Sequence, residues 1–204
     1  MLLLAAFTAQ SISAQENEPD NTFGGMEFFL VNHDIGETGR WFVADYFEHS
    51  NYQYCRLDAW YNRISLGYKI FPWLKTSVGY DIFRNPVCWS HRAVYDVTGS
   101  MKSGDLQVSV RERYIHAWSP AIDTQSNELR SLLKVQYNIP DSAFHPYLSA
   151  EVFTWGDRWK KTRHHVGCMY DLTQDVQMEC SYLYFTFDGK PAEHVIGLGL
   201  NMDI

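Results

Sequence analysis

Arg92, Asp96, Arg111, Arg113, Arg130, Lys134, Glu151, Lys161, Arg163 and Glu179 fall, by period-two alternation, on one side of successive extended segments. Both signs are present, with cations in excess. Two chemistries fit this pattern. In the first, the charges pair and hydrogen-bond with one another, because an unpaired buried charge is expensive. In the second, the surplus of cations lines a narrow polar pore or a binding cavity attractive to small anions.

Catalytic chemistry is not expected. Ser and His occur side by side in Glu48-His49-Ser50 and in Ser90-His91, both assigned to loops. Neighbours along an extended chain point to opposite faces, so neither pair is spaced to cooperate. There is no G-x-S-x-G and no H-E-x-x-H, and His164-His165 point apart. No metal site or cofactor is expected. Folding the chain about Pro72 brings Cys55 near Cys88, where the oxidising envelope would permit a disulfide. Cys168 and Cys180 fall opposite each other on an apolar face and read as small hydrophobes. Arg158 and Lys160, next to Lys161 and Arg163, lie at a hairpin where they would contact lipopolysaccharide phosphates or simply be solvated. Glu112 shares a face with Leu106, Val108, Val110 and Tyr114, which would be the lipid side. A place near the headgroups is the preferred explanation, over a bulge or a protein partner.

These residues need strands to position them. About eleven segments alternate with period two: 26–32, 41–48, 56–70, 74–83, 92–100, 106–118, 129–139, 147–155, 161–172, 176–187 and 194–204. The first two alternate least cleanly, and no stretch reads as a helix. Most run about ten residues or more, the length that spans a bilayer at a tilt. Short turns such as Phe71-Pro72-Trp73 tend to alternate with longer links such as 119–127; the link 140–146 is too long for that scheme. Trp89, Trp118, Trp155 and Trp159 gather at one set of strand ends and Trp73 at the other, as in two interfacial aromatic belts. The last segment, Ile196 to Ile204, sets large apolar residues against glycine, asparagine and aspartate. The expected fold is all-β, a transmembrane antiparallel up-and-down β-barrel of about 10–12 strands. Because single-chain bacterial barrels favour even numbers, ten or twelve is preferred to eleven.

Composition agrees with a barrel. The 204 residues carry 20% charged and 16% aromatic side chains at a formal net charge of −7, with mean hydropathy −0.31. No window is apolar enough for a transmembrane helix, and the acidic balance argues against a nucleic-acid partner. Residues 1–14 read as a secretory signal with an apolar core from Leu2 to Phe7, cleaved after Ala14 or Ser13. No basic residue precedes that core, which points to an upstream start or a truncated chain. Residues 15–23 read as a flexible lead-in and 24–204 as the barrel.

From Trp89 onward the chain resembles an uncharacterised outer-membrane barrel family, domain of unknown function 2490. The resemblance rests on His91-Arg92, on Leu106-Gln107-Val108-Ser109-Val110-Arg111-Glu112-Arg113-Tyr114, and on Leu129-Arg130-Ser131-Leu132-Leu133-Lys134-Val135. Tyr137-Asn138-Ile139-Pro140, Pro146-Tyr147-Leu148-Ser149-Ala150-Glu151 and Lys161-Thr162-Arg163 complete it. It implies a small barrel in the bacterial outer membrane and no activity. Lipid and lipopolysaccharide are the expected surroundings. The expected role is a structural or partner-binding envelope component with a mostly filled polar interior, the alternative a narrow channel for small polar or anionic solutes. A lipid-modifying enzyme comes third.

Overall fold

The computed structural model describes residues 22–52, 56–189 and 191–204; the segment read as a signal sequence lies outside them. Alternation resolves into eleven strands: β1 (Thr22–Ile35), β2 (Trp41–Tyr52), β3 (Arg56–Phe71), β4 (Leu74–Arg84), β5 (Trp89–Ser103) and β6 (Leu106–Ser119), then, after the 3-10 turn Pro120–Ile122, β7 (Thr124–Tyr137), β8 (Phe144–Trp155), β9 (Arg158–Asp171), β10 (Val176–Phe187) and β11 (Glu193–Asp203). Each pairs with its chain neighbours, and β1 pairs with β11, so the sheet closes on itself and leaves no edge.

An even strand count is not what the described residues show. With eleven strands running alternately up and down, the first and last point the same way. The closing pair β1–β11 is therefore parallel, from Thr22↔Glu193 to Asn32↔Asp203, while every other pair is antiparallel. The stretch 26–32 belongs to a full wall strand of 14 residues. Its start at Thr22 lies inside the segment read as a lead-in. The parallel seam is latched at its end: Ile204 N–H donates to Asn32 O at 2.9 Å and Asn32 Nδ2 to Asp203 Oδ1 at 2.9 Å. His33 Nδ1 lies 2.7 Å from Ile204 O.

The register inclines the wall. A line of paired residues through Val31, Asp45, Ile64, Tyr80, Ala93, His116 and Asn127 climbs from the middle of β1 to the start of β7. Such stagger is what strand tilt requires in a closed barrel. The outward face is apolar and open, with Ile64 at 59% and Leu198 at 51% exposure. Trp60 and Trp89 meet edge to face at 5.3 Å near one rim; at the rim bearing the C-terminus Trp41 packs on Tyr68 at 4.8 Å and Phe71 stacks on Trp73 at 5.5 Å. An apolar band between two aromatic girdles is the exterior of a barrel built for lipid.

The interior is less uniformly polar than alternation alone indicates. Met26, Phe28, Leu183 and Phe185 form a buried cluster on the β1–β10 side, flanked by Tyr46, Phe187 and Val195. Glycines make room for the rings. Phe42 lies on Gly67, Tyr147 on Gly167 and Phe28 on Gly199, each pair directly opposed across two strands, and a Cβ on any of the three glycines would run into the facing ring. An aromatic laid over a cross-strand glycine fills the lumen and hides the bare backbone. Gly199→Ala should therefore lower stability in detergent by ~1–3 kcal/mol. Adding Phe28→Leu should recover part of that loss, read from the denaturant midpoints of the two single variants and the double variant.

Candidate functional site

Inward-facing positions of neighbouring strands meet in register, and the charges they carry meet with them. Arg63 of β3, Asp81 of β4 and Arg92 of β5 stand directly opposite one another. Asp81, 0% exposed, accepts from Arg63 Nε and Nη2 at 3.1 and 2.7 Å and from Arg92 Nη2 at 3.1 Å. Arg113 grips Asp96 of the adjoining strand with both arms of its fork, at 2.6 and 2.8 Å. Glu151, 1% exposed, is shared: Arg163 Nη2 reaches it from β9 at 2.5 Å and Arg111 Nη2 from β6 at 2.7 Å. Arg130 pairs with Glu128 two residues away on β7, and Tyr147 donates to Glu179. These bidentate and shared contacts supply what desolvation of the charges removes.

Three lysines stand apart from this pairing. Among the described residues none of Lys75, Lys134 and Lys161 has a carboxylate within ion-pairing distance, and Lys75 Nζ lies 5.5 Å from the centre of the Phe42 ring. Lys134 Nζ lies 4.0 Å from the centre of the Tyr147 ring and donates to Met169 Sδ at 3.3 Å. Lys161 Nζ faces three rings, Phe153 at 4.6 Å, Phe185 at 5.1 Å and Phe187 at 5.9 Å. Cation–π contact offsets only part of the cost of a charge removed from water.

Three cavities follow one another along the lumen. The first, about 210 Å³, opens toward the rim opposite the C-terminus, and its lining includes Glu48, Tyr61, Phe83, Arg92, Arg130, Phe153, Lys161, Arg163, Phe185 and Glu193. The second, about 190 Å³, is lined by Arg63, Lys75, Arg111, Arg113 and Arg163, with Asp96 as its carboxylate. Tyr61 and Arg163 line both and form a waist between them. Asn32, Phe42 and Lys75 link the second cavity to a third, about 440 Å³, that reaches Asp34, Lys69, Asp203 and Ile204. Because Arg111 and Arg163 each bind Glu151 through Nη2, their Nε–H groups stay buried without an acceptor among the described residues. The arrangement sets cationic groups along successive cavities, where an anion could be held.

The ten charges singled out by alternation all face this interior, but their partners are not predictable along the chain. Alternation brought no notice to Arg63, Asp81, Lys75 or Glu48, although Arg63 sits between outward Asn62 and Ile64 and Asp81 between Tyr80 and Ile82. The two Ser-His neighbours lie on strands, not in loops, as period-two pairing extends β2 and β5 through them. Ser90 faces inward onto Ser119, while His91 faces outward onto the Tyr80 hydroxyl at 2.5 Å. Glu112 stands midway along β6, away from either rim, and accepts from Ser131 Oγ at 2.7 Å across the strand pair, which corrects its placement at the headgroups. Lys160 Nζ lies 3.3 Å from the centre of the Trp155 ring at the β8–β9 hairpin, next to exposed Arg158. Cys168 and Cys180 are free thiols directly opposed across β9 and β10. Cys88 is a free thiol 3.8 Å from Ser90 Oγ, and Cys55 lies outside the described residues.

The shared carboxylate offers the clearest test of this network. Glu151→Gln removes the counter-charge of two arginines at once and should cost ~3–5 kcal/mol of unfolding free energy. Adding Arg111→Leu should return part of it, and denaturant titration of the barrel refolded into lipid vesicles measures both.

No curated protein matches the chain. Among solved structures, the NanC porin in a rhombohedral crystal form superposes with a TM-score of 0.57 at 13% identity, covering 89% of this chain and 99% of that one. At that identity the likeness is one of fold, a closed barrel of porin type. A family model described as "Protein of unknown function (DUF2490)" matches residues 28–194, the greater part of the barrel from the middle of β1 to the start of β11, and the chain belongs to that family.

Proposed function

We propose that the protein is an integral barrel of the bacterial outer membrane that passes small anions through a narrow, positively lined lumen. The single observation that carries this reading is the series of three cavities sharing lining residues from one rim to the other. The middle cavity keeps a cationic surplus, because Arg63 shares Asp81 with Arg92, Arg111 and Arg163 share Glu151, and Lys75 has no carboxylate within ion-pairing distance among the described residues. Field lines therefore converge there on a path walled by low-dielectric protein. The apolar exterior between aromatic girdles supports the membrane location, and the porin likeness supports the architecture.

A second reading, a structural or partner-binding envelope component, draws on polar groups that face outward. Glu27 meets His49 at 3.0 Å and Asn51 at 3.3 Å, and Asn62 donates to Asp45 at 2.7 Å, all on the outer face of β1–β3. Ionisable groups facing lipid are costly, and an envelope protein seated on this face would cover them. Under either reading we propose that Arg158 and Lys160 at the β8–β9 hairpin contact lipopolysaccharide phosphates.

Planar-bilayer recording separates the two. The channel reading expects small, steady, anion-selective steps, and a larger step in Tyr61→Ala with selectivity kept. Cation selectivity, or silence from correctly folded protein, would overturn it. Silence together with a stoichiometric protein that co-purifies in mild detergent and is lost on Glu27→Leu would establish the second reading.

A further inference from the structure

We propose that the cavity facing the rim opposite the C-terminus is a binding site for a small organic anion with an apolar or aromatic body, its acidic group held by Lys161 and its carbon skeleton by Phe153 and Phe185. The proposal deepens the channel reading by naming what the first cavity selects, but does not need the waist to be open.

Three observations converge. The arginines that line this cavity already have carboxylates: Arg92 has Asp81, Arg130 has Glu128 and Arg163 has Glu151. Of the two further acids that line the cavity, Glu193 comes from β11, and Glu48 from β2 accepts hydrogen bonds from the Tyr46 and Tyr61 hydroxyls at 2.7 and 3.0 Å. Among the described residues, Lys161 is the cation of this cavity with no carboxylate in ion-pairing distance, and it has ring faces in place of a counter-ion. An acidic group entering the cavity would supply the missing charge at the point where it is most costly to lack.

The walls then choose among anions. Tyr61, Phe83, Phe153 and Phe185 all border the cavity, and a hydrated inorganic anion gains nothing from such surfaces. A carboxylate attached to a ring gains both terms, charge pairing at the ammonium and apolar burial against the phenyl faces. The volume of about 210 Å³ exceeds the ~150 Å³ of an apolar cavity that admits benzene, so a single-ring acid has room. The second cavity offers a different setting, with Ser77, Thr98 and Lys75 beside its arginines, and serves as an internal control.

Calorimetric titration of the detergent-solubilised barrel with benzoate, acetate and benzyl alcohol reads the site without any need for conduction. Benzoate should bind about tenfold or more tightly than acetate, and benzyl alcohol, which keeps the ring but lacks the charge, should bind about tenfold or more weakly than benzoate. Lys161→Gln should lose about tenfold in benzoate affinity while Lys75→Gln keeps it, both checked for the heat-modifiable gel mobility of a folded barrel. Equal binding of acetate and benzoate would overturn the aromatic recognition. Equal binding of benzyl alcohol and benzoate, or a Lys161→Gln variant with unchanged benzoate affinity, would overturn the ion pair. If Lys161→Gln does not fold, the three-ligand comparison on the native chain still decides. A barrel that binds benzoate but shows no steps in a bilayer would retain this site and lose the channel.

Discussion

Closure of the sheet is the constraint on which everything else in the molecule rests. In hydrocarbon every backbone amide needs a protein partner, and an open edge would leave a row without one. Eleven alternating strands can meet that demand only by pairing the first and last in parallel, and the Thr22↔Glu193 to Asn32↔Asp203 register does so along the length of β11. Closure also creates the lumen. Without it, Asp81 and Glu151 would be ordinary sheet residues exposed on one face.

Once the wall is closed, the interior must be filled, and the chain fills it in two ways. On the β3–β9 side, carboxylates are shared between arginines, Asp81 by Arg63 and Arg92, Glu151 by Arg111 and Arg163. Near the seam Phe28 lies over Gly199 and joins Leu183 in the buried cluster, and farther round the wall Phe42 and Tyr147 lie over Gly67 and Gly167. Among the described residues the pairing leaves cations over: Lys161, Lys134 and Lys75 rest on aromatic faces. A lumen that was merely a plug would be expected to balance its charges. Lys161 lines the first cavity and Lys75 the second, which links packing to the proposed passage of anions.

Face and depth were legible in the sequence wherever one side of a strand is polar. β7 is the clear case, with Arg130 and Lys134 inside and Leu129 and Leu133 outside at 44% and 50% exposure. β1 was poorly defined because both of its faces are apolar: Met26 and Phe28 enter the buried cluster while Phe29 and Val31 face outward. Period two vanishes when inside and outside are alike. The direction of the closing pair was illegible for a different reason, since parallel and antiparallel partners give the same alternation. Partner identity needs the register as well. Arg111 reaches Glu151 forty residues away, across the intervening strand β7, and no local spacing encodes that contact.

The parallel seam carries the account, and cysteine cross-linking across it tests the account most directly. In a chain freed of its four native cysteines, Phe23→Cys is paired with His194→Cys, and Val31→Cys with Met202→Cys, residues directly opposed in the β1–β11 register. Oxidation in native membranes should join both pairs within one chain. A bond between positions 23 and 202 instead, with neither expected pair forming, would mean an antiparallel closure and would contradict the eleven-stranded barrel.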